Sequence, residues 1–93
     1  MAFGSNIELF ETFTSSGSFT GNSGDHTAIL LLGNYGNPGD ASAAATCVNA
    51  TCQLASSGDA QGWKVTQTYL WRINKNTDFK VTTSLTWGQI ILL

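Results

Sequence analysis

The stretch WKVTQTYLWRINKNTDFKVTTSLTW, residues 63–87, decides the fold. Trp63, Val65, Tyr69, Trp71 and Ile73 share one parity, with Gln67 as its polar member. Lys64, Thr66, Thr68 and Arg72 hold the other, and Leu70 is the apolar exception there. After Asn74-Lys75-Asn76 the alternation resumes, with Phe79, Val81, Leu85 and Trp87 on one face and Lys80, Thr82, Ser84 and Thr86 on the other. A period of two is the mark of a half-buried strand, and β-branched and aromatic side chains suit a pleated surface. The pattern predicts a long C-terminal β-hairpin over 63–87. Setting Ile73 opposite Thr77 leaves a three-residue loop with Asn76 in the left-handed position such loops need. That register puts Arg72 beside Asp78, Trp71 beside Phe79 and Trp63 beside Trp87; a shift by two would oppose Arg72 to Lys80, which is unfavourable.

The segments before the hairpin are shorter. Ile7, Leu9 and Phe13 predict a strand over residues 6–14, followed by a turn at Ser15-Ser16-Gly17 and a short strand at Ser18-Phe19-Thr20. After a second turn at Gly21–Asp25, the continuous apolar run Ala28-Ile29-Leu30-Leu31-Leu32 predicts a strand covered on both faces. Gly36-Asn37-Pro38-Gly39-Asp40 interrupts the chain, and Ala41–Ala45 has room for one helical turn. Many short strands punctuated by turns describe an all-β domain, a small antiparallel sandwich or barrel. A length of 93 residues supports a single domain spanning 1–93.

Composition narrows the function. Only 11% of residues are charged, against roughly a quarter in an ordinary globular domain. Ser, Thr, Asn, Gln and Gly make up 42 of the 93 residues instead. Such a polar, nearly uncharged surface suits a protein locked into an assembly or working outside the cell. A net charge of -2 with four scattered cations is a poor phosphate-binding surface, so no nucleic-acid partner is expected. No apolar run approaches the roughly 18 residues of a membrane-spanning helix, so no membrane partner is expected either. Residues 1–6 lack the basic and apolar regions of a secretory signal; either a signal was removed ahead of Met1 or the protein is made in the cytosol and arrives by assembly or lysis, and the starting Met favours the second.

Cys47 and Cys52 flank Val48-Asn49-Ala50-Thr51. With Asn49-Ala50 as a two-residue turn, the cysteines fall on a pair with Cα atoms about 4.5 Å apart, within reach of a disulfide worth roughly 2 kcal/mol. Free thiols are the alternative. A structural zinc needs four ligands, and only His26 remains, so no metal or cofactor is expected. Ser23-Gly24-Asp25-His26 gathers a hydroxyl, a carboxylate and an imidazole, but neighbours on a turn do not form a nucleophile, base and orienting group. No carboxylate pair, phosphate loop or nucleophile elbow occurs, so the chain reads as a non-enzyme. The tryptophan stripe reads as core, or else as a sugar-stacking platform or a subunit interface if nothing covers it. Ile90, Ile91, Leu92 and Leu93 are the candidate interface residues, because four apolar residues at a chain end need a cover, either from this domain or from a neighbouring subunit.

Phe13-Thr14-Ser15-Ser16-Gly17-Ser18-Phe19-Thr20, followed by the apolar run and Gly33, resembles a segment of bacteriophage tail-fibre and related virion proteins. The resemblance covers about a quarter of the chain. It implies a virion structural protein, such as a head decoration (cement) or tail-associated subunit, whose partners are copies of itself and a major capsid or tail protein. The alternative expectation is an extracellular carbohydrate-binding or adhesive module.

Overall fold

Alternating apolar and polar side chains need a cover for one face only, and two such sheets cover each other. The computed structural model describes residues 7–35, 44–60 and 64–93. They form eight strands: β1 (Glu8–Phe13), β2 (Gly17–Asn22), β3 (Ala28–Tyr35), β4 (Ala45–Val48), β5 (Thr51–Ala60), β6 (Lys64–Arg72), β7 (Asp78–Thr83) and β8 (Trp87–Leu92). No helix occurs among the described residues. The expected break at 36–40, residues 41–43 of the helical turn expected over Ala41–Ala45, and Trp63 lie outside them; Ala45 opens β4 instead of closing a helical turn.

The strands make a five-stranded sheet in the order β1-β8-β3-β6-β5 and a three-stranded sheet in the order β2-β7-β4, with every pair antiparallel. The nested pairs β1 with β8, β2 with β7 and β3 with β6 follow the jelly-roll wrapping of an eight-stranded sandwich. One strand departs from it: β5 joins β6 in the larger sheet and not β4.

The all-β sandwich is as the sequence predicts, but the hairpin is not. β6 and β7 form where expected, yet they belong to different sheets. Arg72 pairs with Ala28 and Thr51, and Asp78 pairs with Asn22. Residues 73–77 therefore turn a corner between sheets without reversing within one. The reason is coverage: a lone two-stranded ribbon cannot bury its own apolar face, whereas a ribbon bent across its middle makes each half the lid of the other.

A single register runs through the bend. Gly17↔Thr83 to Asn22↔Asp78 in the small sheet continues as Ala28↔Arg72 to Tyr35↔Val65 in the large one. The corner itself stays bonded: Ser23 N–H donates to the Thr77 carbonyl (2.9 Å), Asn76 N–H to Gly24 (2.7 Å) and Ile73 N–H to Thr27 (3.0 Å). Gly24 (φ 56) and Asn76 (φ 55) sit opposite each other in the left-handed region. Asn76 adopts the expected conformation, in the service of a corner instead of a hairpin loop. Around the outside, β4 passes to β5 through Asn49 (φ 66) and Ala50 in the same manner.

Between the sheets lie Phe13, Ile29, Leu31, Trp71, Ile73, Phe79, Val81, Leu85, Ile90 and Leu92. Phe10 packs edge-on against Phe79 at 5.2 Å, and Phe13 packs against Phe19 at the same distance. A bulge between Leu9 and Glu11 shifts the parity of β1, so Phe10 reaches the core while Leu9 stays exposed. Trp87 also departs from the expected stripe. The non-strand residues 84–86 reset the alternation, and in β8 it is Ile90 and Leu92 that are buried, with Trp87 at the surface.

Candidate interaction surface

The motif Ser23-Gly24-Asp25-His26 comes together as an architectural device. Ser23 is fully buried; its hydroxyl donates to the Asn74 carbonyl (2.7 Å) and accepts from Thr77 N–H (2.9 Å). Both hydrogen bonds stitch the two halves of the corner. The hydroxyl is thus committed to backbone partners, and the imidazole turns elsewhere. His26 Nε2 lies 3.2 Å from Glu8 Oε1, tying β1 to the corner. Asp25 is exposed. A cleft of about 440 Å³ is lined here by Glu8, Asn22, Ser23 and His26 among others, but a nucleophile in line with its base is not part of it.

The cysteines do not form a disulfide. Cys47 pairs with Val81 in one sheet and Cys52 with Trp71 in the other, and both thiols are free. The predicted two-residue hairpin turn is the outer corner, so the strands that carry the cysteines diverge. Burial pushes the Cys47 thiol up from 9.0 to about 11, partly opposed by a backbone hydrogen bond at Lys80. It behaves as a small core side chain. Cys52 is exposed on β5. Among the described residues no cluster of three His, Cys, Asp or Glu side chains is placed to hold a metal.

The C-terminal residues find most of their cover within this domain. Ile90 and Leu92 are core, fully covered by this chain, because β8 lies inside the large sheet between β1 and β3. Leu93 is bonded through its backbone to Ala28. Of the four, Ile91 stands on the outer face of that sheet, half-buried.

That outer face is the feature that sequence reading missed. The registers Leu9↔Ile91, Ile91↔Leu30, Leu30↔Leu70 and Leu70↔Leu54 align five aliphatic side chains in one row across all five strands. Leu9 is 57% exposed and Leu54 50%. Leu32, at 40%, stands in the next row. The apolar run of β3 is therefore covered on one side only: Ile29 and Leu31 are sealed, while Leu30 and Leu32 face outward. The signal was present in Leu70, the apolar intruder among the threonines of β6. Its cross-strand alignment with residues of four other strands is a tertiary fact.

The outer face of the small sheet differs in character. Ser18, Thr82 and Thr46 line up across it, with Ser18 and Thr82 hydroxyls 3.0 Å apart. An open groove of about 450 Å³ runs beside them, lined by Thr20, Val48, Asn49, Asp78 and Lys80 among others. The row is hydroxyl-rich, whereas the groove sets Val48 and Phe79 beside Asn49, Asp78 and Lys80. Trp71 lies in the interior, stacked on Tyr69 with centroids 5.4 Å apart.

No family model, no curated protein and no solved structure matches the chain.

Proposed function

We propose that this chain is a structural subunit of a repeating particle, a virion decoration (cement) or tail-associated protein that acts by burying surface against its lattice. The observation that carries the reading is the aliphatic row Leu9–Ile91–Leu30–Leu70–Leu54 on the outside of the large sheet. It spans four inter-strand gaps, about 19 Å at ~4.8 Å each. An apolar tract of that extent on a small domain marks a surface that is covered in use. Leu9 and Leu54 are about half exposed, so covering each of them contributes roughly 1 kcal/mol, and a lattice multiplies the contact by its copy number. The jelly-roll order is compatible with this use, though it serves viral capsid and lectin domains alike and the surface has to discriminate.

The test is whether the chain travels with particles. A density gradient of particles from the native source, probed with an antibody to the chain, is expected to place it in the particle band, and negative-stain images to show it at repeating positions. Purified chain added to particles lacking it is expected to rebind, and Leu30→Gln/Leu70→Gln to reduce that rebinding strongly. A chain that stays in the soluble fraction and never rebinds would defeat the proposal. If a glycan array then gave binding through the Thr20–Lys80 groove, the carbohydrate-binding alternative would replace it.

A further inference from the structure

Sheet edges are unpaired rows of N–H and C=O groups, and proteins that remain monomeric blunt them. Among the described residues the two sheets end in four edges, and these are treated unequally. β1 carries a bulge between Leu9 and Glu11 and two carboxylates, Glu8 and Glu11. β4 has four residues, and β2 has six, two of them glycine. β5 has ten residues and is the longest strand among the described residues. From Thr51 to Gly58 it contains no charge and no proline, and every one of those residues is exposed. Its one irregularity falls near the start, between Cys52 and Leu54. From Leu54 onward the strand pairs with β6 on one side in an unbroken register, and no described strand pairs with it on the other.

From this inequality we infer that β5 is a dimerisation edge, pairing antiparallel with β5 of a second copy to join two five-stranded sheets into one of ten. The other edges of the chain decide the occupant. Pairing β5 with β1, β2 or β4 of another copy would meet a bulge with carboxylates or a strand too short to match it. Such head-to-tail contacts would also leave edges free to grow a fibre. Pairing β5 with itself satisfies both edges at once and closes. A two-fold axis at Ser56 sets Ser56 against its own copy, Leu54 against Gly58 and Ala55 against Ser57, which keeps each outward position outward. It opposes no like charges over this stretch, and it extends the sheet whose outer face bears the aliphatic row. The inference stands independently of the particle reading.

Sedimentation of the full chain over a wide concentration range tests it. The expected species has twice the 9.9 kDa chain mass. Ser56→Lys puts like charges face to face on the edge and should weaken the dimer by roughly tenfold or more, while Thr46→Lys on the small sheet leaves it intact. A cross-link gives an answer that does not depend on a charged variant folding. In a Cys47→Ser/Cys52→Ser background, Ser56→Cys should form a disulfide-linked dimer with oxidised glutathione, since paired Cα atoms lie about 4.5–5.5 Å apart. Thr46→Cys in the same background should remain monomeric. A wild-type chain that is monomeric throughout, or a dimer that resists Ser56→Lys and gives no cross-link, overturns the inference. A dimer that ignores particles would leave it standing and remove the virion reading instead.

Discussion

Ser23→Ala is the substitution that most directly tests whether the fold is a bent ribbon held at its corner. It removes one oxygen from a site that is fully buried. The wild-type hydroxyl donates to the Asn74 carbonyl at 2.7 Å and accepts from Thr77 N–H at 2.9 Å, while the Ser23 N–H to Thr77 carbonyl bond is untouched. Two hydrogen bonds at about 1 kcal/mol each are lost, and the freed backbone groups keep only partial access to water, so the cost should be about 2–3 kcal/mol. Against a total stability of roughly 5–14 kcal/mol for a chain of this length, that is a substantial fraction. It corresponds to a fall in Tm of roughly 10–15 °C. Urea unfolding followed by tryptophan fluorescence should show the midpoint falling with the slope unchanged. Ser18→Ala, which removes the exposed hydroxyl beside Thr82, is the control and should change stability by less than about 0.5 kcal/mol. If Ser23→Ala lies within the same limit, the corner is not held by this hydroxyl and the account of the bend is wrong.

Further outcomes follow from the same packing. At Gly88 an added Cβ would run into the Leu32 carbonyl oxygen and come within 2.8 Å of Gly33 Cα and 2.9 Å of the Phe13 ring; because backbone cannot give way, Gly88→Ala should cost about 3 kcal/mol or prevent folding. Gly58→Ala meets nothing within 4 Å and should be neutral or slightly stabilising by thermal melt. Leu31→Ala should cost about 2–5 kcal/mol in denaturant titration, whereas Leu70→Ala, on the outer row, should cost under about 1.5 kcal/mol. Cys47 is held protonated in the fold at about 11 against 9.0. Its contribution is complete below pH 9 and declines as pH rises from about 9 to 11, by about 1 kcal/mol after allowing for screening at a half-exposed site, and Cys47→Ala should flatten that part of the stability profile. Under native conditions at neutral pH a thiol reagent should label Cys52 quickly and Cys47 slowly, as mass spectrometry would show.

Local chemistry alone determined a good deal of this protein. The period-two alternation of residues 64–72 and 78–83 announces strands because a pleat sends successive side chains to opposite sides, and that is a property of the chain itself. The break at Ser15-Ser16 and the left-handed Asn76 were legible from local chemistry too, although Gly17, expected in the turn, opens β2. Partnership was not. Nothing local distinguishes a five-residue link that reverses within a sheet from one that bends between sheets, and the choice was made by the need of Trp71 and Phe79 for a common interior. The same decision separated Cys47 from Cys52, buried Ile90 and Leu92, and made Ser23, a turn residue in the sequence, into a brace. It also assembled the candidate surface. Leu9, Leu30, Leu54, Leu70 and Ile91 are scattered over five strands, and only the hydrogen-bond registers between those strands draw them into a single line.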